Sequence, residues 1–104
     1  MNPRTTKTIV MRMNTEKRES FRVLLLRVME ANNTIYGLGL AALGHLAGDF
    51  GFAGVKTSDL EREIVYLQDK GYAVQVAKPI SPENRVWRIT AEGRDYLAQL
   101  SYEG

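Results

Sequence analysis

The sequence predicts a mainly helical α+β domain in the order helix, strand, helix, helix, strand, strand, helix, preceded by a basic N-terminal arm. Three observations carry that prediction. Residues 57–70 read TSDLEREIVYLQDK, with Leu60, Ile64 and Leu67 at i, i+4 and i+7, one apolar stripe along a helix. Gly71 follows at the left-handed position that closes many helices, and directly after it the apolar period becomes that of a strand, in YAVQVA and then in RVWRIT. Last, AEGRDYL restores a helical pattern behind Thr90, a residue suited to cap it.

At 104 residues the chain is one domain with a single modest core. Residues 1–13 are the arm and 14–104 the folded part. Apolar residues make up 44% and charged residues 25%, globular proportions that exclude wholesale disorder. With no cysteine there is neither a disulfide framework nor a thiolate metal site. A secreted chain this small would ordinarily be stapled, so a cytoplasmic location is expected. No apolar run reaches the length of a membrane span, and the polar, basic start lacks the hydrophobic stretch of a signal peptide. The net charge of +2 conceals an asymmetry: residues 1–27 hold seven basic side chains against Glu16 and Glu19, giving +5, and the remainder hold seven basic and ten acidic, giving −3. A basic arm on a slightly acidic body suits either a polyanion contact or a solvated tail.

Along the chain, MNPRTTKTIVMRM lacks helical periodicity, with residues 9–11 suited to a short strand. Thr15 and Glu16 open the first helix, which runs to about Glu30 and ends at Asn32 and Asn33. At about 100° per residue, Phe21, Leu24, Leu25, Val28 and Met29 share a core face, and Val23 and Leu26 fall on the opposite side. An amphipathic helix needs only one apolar stripe, so Val23 and Leu26 are expected to meet the arm, the last helix or a second subunit, as a homodimer interface. Thr34, Ile35 and Tyr36 read as a bridging strand. Residues 38–47 read as a short second helix interrupted by Gly39 and Gly44, each costing roughly 0.5–1 kcal/mol relative to alanine while allowing close packing on the helix from Ser58. Residues 48–55 connect the two. Thr57 and Ser58 are candidate N-caps, and Asp59, Glu61 and Glu63 suit the positive helix end. In YAVQVA, Tyr72, Val74 and Val76 share one strand face. KPISPEN is a loop stiffened by Pro79 and Pro82. In RVWRIT, Trp87 and Ile89 face one way, Val86 and Arg88 the other. Leu97 and Leu100, beside Tyr96, give the last helix its stripe.

GLGLAA at 37–42 has the letters of a dinucleotide-binding G-x-G-x-x-A. That chemistry needs a preceding strand, a βαβ unit and an acidic residue at the end of the second strand; here Asp59 starts a helix, and glycines that permit close helix packing are the better account. His45 is the only histidine, with Asp49 four residues on, and metal or Ser-His-Asp chemistry requires several convergent groups. Glu61 and Glu63, two apart, point to different sides of a helix. Glu92 and Asp95 are explained by the dipole of the last helix. No enzymatic activity, metal, cofactor or small-molecule ligand is expected.

Residues 60–97 read L-x₃-I-x₂-L-x₃-GY, a hairpin, then V-W-R-I-T-x₂-G-x₂-YL. This pattern resembles the recognition helix, wing and following helix of MarR, PadR and ArsR-type winged helix-turn-helix proteins. Taken whole, the chain is also similar to small winged-helix proteins of Mu-like prophages, and the likeness spans about residues 15–100. The resemblance implies a winged-helix fold and a homodimeric, DNA-binding transcriptional regulator. The helix from Ser58 would enter the major groove of double-stranded DNA, with the wing and arm on the backbone or minor groove. Setting Leu60, Ile64 and Leu67 inward turns Ser58, Arg62, Val65, Tyr66 and Asp69 outward. Arg62 suits guanine, Ser58 a base edge or phosphate, and Val65 a thymine methyl. Lys78, Arg85 and Arg88 at or near the hairpin loop, opposed there by Glu83, and Arg4, Lys7 and Arg12 in the arm are the phosphate candidates. One feature departs from a strong DNA reader: residues 57–70 carry four acids and two bases, net −2, so Asp59 and Glu61 would sit among phosphates unless another group neutralises them. The alternative is a winged-helix module that binds protein and no DNA, which the acidic helix and exposed Val65 and Tyr66 favour.

Overall fold

The computed structural model describes residues 14–33, 36–76 and 85–103, without the side chains of 102 and 103. The arm at 1–13, with the strand expected at 9–11, and the loop at 77–84 lie outside the described residues. The elements are α1 (Thr15–Ala31), β1 (Leu38–Gly39), α2 (Leu40–Ala47), α3 (Thr57–Asp69), β2 (Ala73–Gln75), β3 (Val86–Ile89) and α4 (Ala91–Glu103). The class is α+β and the order is the one predicted. The strands form one antiparallel sheet in the order β1-β3-β2, with Leu38 and Gln75 both opposite Trp87 and Ala73 opposite Ile89. Among the described residues no helix is long and apolar enough to cross a membrane.

α1 is the central element, touching α2, α3, α4 and β3. Asn14 caps it, accepting from the Lys17 amide at 2.8 Å. Because α1 has neighbours on several sides, its buried residues are not confined to one narrow apolar stripe. This removes Leu26 from the expected subunit interface. Leu26 is 0% exposed within a single chain, and Val23 is half-buried against the same core. Leu26 is therefore core, together with Phe21, Leu25, Val28 and Met29, whereas Leu24 is only half-buried.

The first strand also differs in position. It falls at Leu38–Gly39 rather than at 34–36; Tyr36 lies in a turn, and 34 and 35 are outside the described residues. Gly39 is consequently the extended residue ahead of α2, not an interior helical glycine. Gly44 does lie inside and faces α3, but a Cβ there would stand 3.4 Å from Leu60 Cδ2, an ordinary contact distance, so the packing of α2 on α3 does not require a bare backbone at this position. A wide π-type turn over Gly48–Phe52, broken at Phe50 and Gly51, brings the Phe52 ring to 4.9 Å from that of Phe21.

Leu60, Ile64 and Leu67 of α3 share the core with Phe21, Leu25 and Val28. Lys56 occupies the N-cap position of α3 without a side-chain bond, so Thr57 and Ser58 are its first helical residues and not its caps. Its other end closes as predicted. Gly71 has φ +84°, its amide donates to the Gln68 carbonyl at 3.0 Å, and the Tyr72 amide donates to the Leu67 carbonyl at 2.9 Å, the paired bonds of a Schellman cap. Thr90 then ties this cap to α4: its hydroxyl donates to the Gly71 carbonyl at 2.6 Å and accepts from the Gly93 amide at 3.0 Å. In the sheet, Trp87 and Ile89 share a face as expected, and that face is buried; the inward residue of β2 is Ala73, and Val74 is exposed opposite Arg88.

Candidate functional site

α3 buries Leu60, Glu63, Ile64 and Leu67, which stand at i, i+3, i+4 and i+7. One member of the stripe is therefore a carboxylate, and Glu63 is 0% exposed. A charge removed from water must be paired and hydrogen-bonded. Arg18 and Arg22, one helical turn apart on α1, reach it from the neighbouring helix. Arg22 Nε donates to Oε1 at 2.6 Å, Arg18 Nε to Oε2 at 3.0 Å, and Arg62 Nε to Oε2 at 3.1 Å. Burial pushes the Glu63 carboxyl up, but hydrogen bonds from Arg22 and Arg62 and the charges of Arg22 and Arg18 outweigh it, so the group is held below the usual glutamate range.

The other acids at the start of α3 are also met. Arg62 Nη2 lies 3.3 Å from Asp59 Oδ1, and Arg85, entering β3, donates to Glu61. Arg85 also stands 5.3 Å from the Trp87 ring centroid, and Trp87 Nε1 donates to Gln68 at 2.8 Å, which fixes the hairpin base against α3. Asp59, Glu61 and Glu63 are thus faced by Arg18, Arg22, Arg62 and Arg85: four positive charges against three negative, net +1.

Of the residues predicted to form a site, the structure brings Arg62 and Arg85 onto these carboxylates, and Tyr66 joins them through Arg22. Ser58 and Val65 are exposed on α3. Tyr66 is partly covered, the Arg22 guanidinium lying 3.6 Å above its ring. Arg88 is exposed on the face of the sheet turned away from Trp87 and Ile89, apart from that cluster. Arg4, Lys7, Arg12 and Lys78 lie outside the described residues. Arg18, Arg22 and Glu63 are absent from the predicted set, although a signal existed: an acid inside an apolar stripe requires a cation opposite, and arginines four apart on α1 supply it.

Beside Tyr66 a groove of about 580 Å³ opens between α1, α3 and α4, lined in part by Val23, Tyr66, Leu67, Tyr72, Tyr96 and Leu100. The Tyr72 and Tyr96 rings stack with centroids 4.6 Å apart. No protein-family model matches the chain, and no curated protein or solved structure matches it.

Proposed function

We propose that this chain is a winged helix-turn-helix protein that binds double-stranded DNA as a homodimeric transcriptional regulator, with α3 offered to the major groove and the β2–β3 hairpin as its wing. The observation that carries this reading is the neutralisation of α3. By sequence the helix has an acidic face hostile to phosphates, yet Asp59, Glu61 and Glu63 each have an arginine partner and the cluster is net positive. Arg62 is already held by Asp59 and Glu63, so reading guanine would require it to exchange those contacts. Affinity on this account comes chiefly from phosphates, which position a protein without specifying sequence.

The test is a titration of the full chain against mixed-sequence duplex at several salt concentrations. Log affinity is expected to fall with log salt at about −0.9 per phosphate neutralised. Replacing Lys78 and Arg85 by Gln flattens that slope and weakens all sequences alike, whereas Arg62→Ala costs about 1–3 kcal/mol on a preferred site only, where a bidentate guanine contact exists. Absence of binding at low salt rejects DNA as the partner. The exposed Val65 and the tyrosine-lined groove favour protein docking in that case.

A further inference from the structure

The arginine cage around Glu63 holds more positive charge than its carboxylate uses. One guanidinium neutralises a carboxylate and can satisfy both its oxygens. Here three converge on one, so Arg18, Arg22, Arg62 and Glu63 together carry net +2, and still +1 once Asp59, which also meets Arg62, is counted. A lock between α1 and α3 would need one of them, and crowding the others against it adds like-charge repulsion. The geometry has a second feature. All three bind Glu63 through Nε, the inner nitrogen of the fork, which leaves the terminal nitrogens for other partners. Nη2 of Arg62 reaches Asp59, and the Arg22 guanidinium stands over the Tyr66 ring. The terminal nitrogens of Arg18 meet no protein group among the described residues, and the side chains of Arg18 and Arg62 are 36% and 50% exposed.

We infer that Arg18 and Arg62, held in place by buried Glu63 and buttressed by Arg22, form a seat for one phosphodiester of the bound nucleic acid backbone. Arg18, fixed at Nε by a buried carboxylate, presents its remaining donors without losing rotamer freedom on binding, and paired N–H donors match phosphate oxygens; Arg62 joins it by exchanging its Asp59 contact for the phosphate. Glu63 is here a positioning residue. The inference rests on the DNA reading proposed above and assigns α1, not only α3 and the wing, to the interface.

The experiment compares wild type, Arg18→Gln, Arg18→Lys and Arg27→Gln in duplex titrations over a range of salt, with thermal melts of each. Arg27 is exposed and half a helical turn around α1 from Arg18. Arg18→Gln is expected to reduce the slope of log affinity against log salt by about 0.9, one phosphate's worth, equally on all sequences. Arg18→Lys keeps the charge and restores the slope even where it lowers the melting temperature, and Arg27→Gln leaves the slope unchanged. If Arg18→Gln binds with the wild-type slope, or if Arg18→Lys loses the slope as Gln does, the seat is overturned and the DNA reading stands. If wild type binds no duplex at low salt, both fall together.

Discussion

Glu63 stays ionised in the folded chain because three guanidiniums outweigh the penalty of its burial, and this sets a pH dependence. Its folded pKa lies below its unfolded value, about 4.3 for a free glutamate. The stabilisation is therefore complete above that value and is lost as pH falls through the depressed folded pKa, since the unfolded state takes up the proton first. Denaturant melts from pH 7 down to pH 2 should show that loss, and Glu63→Gln should make the acid limb shallower while lowering stability at pH 7 by about 2–3 kcal/mol. This is less than for a fully buried pair, because Arg18 and Arg62 keep water. An acid limb identical in the variant would show that Glu63 is not the group responsible. Gly93 carries a steric constraint instead. A Cβ there would lie 2.3 Å from the Tyr72 carbonyl oxygen and 2.7 Å from Ile89 Cγ1, so Gly93→Ala is expected to cost about 2–3 kcal/mol by overpacking, read as a lower urea midpoint. The sequence marks Gly93 as part of a pattern, but its reason is legible only once α4 is seen abutting the end of α3, a contact between segments about twenty residues apart.

At the scale of elements, what is local was readable and what is tertiary was not. The stripe of α3, the Gly71 stop and the Thr90 cap are each set by a few adjacent residues and stand where the pattern puts them. Leu26 was misplaced because helical periodicity reports which residues share a side, not how many sides have neighbours; α1 has neighbours on several. In β2 the alternation puts Tyr72, Val74 and Val76 on one face and Ala73 and Gln75 on the other, without saying which face is turned inward. Register decides it: pairing with buried Ile89 turns the small Ala73 into the core and leaves Val74 outside. Leu67 combines both levels, since it lies in the local stripe, accepts the Schellman bond from Tyr72 and is 2% exposed. Leu67→Ala should destabilise by about 2–5 kcal/mol in denaturant melts. A loss under about 0.5 kcal/mol, the range of unremarkable surface substitutions, would mean that α3 does not pack as described.

For the molecule as a whole, the sequence has a basic first quarter, residues 1–27, and an acidic remainder, and the fold brings the two together by laying Arg18 and Arg22 of α1 on α3. That pairing was beyond composition, because charge counts along a chain carry no distances. The same juxtaposition of α1 with α3 and α4 leaves the groove lined by Val23, Tyr66, Tyr96 and Leu100, and it is the surface on which the proposed homodimer would form. With Leu26 in the core and Val23 at the groove, the two residues should separate in experiment. Val23→Glu places a charge in an open groove and should leave the fold intact while dissociating the dimer. Leu26→Glu buries an unpaired carboxylate, a cost of several kcal/mol, and should unfold the chain instead of merely splitting it. Sedimentation and far-UV dichroism of wild type and both variants distinguish these outcomes. A wild type that sediments as a monomer at high micromolar concentration would sink the dimer, and a folded Leu26→Glu monomer would return Leu26 to the interface.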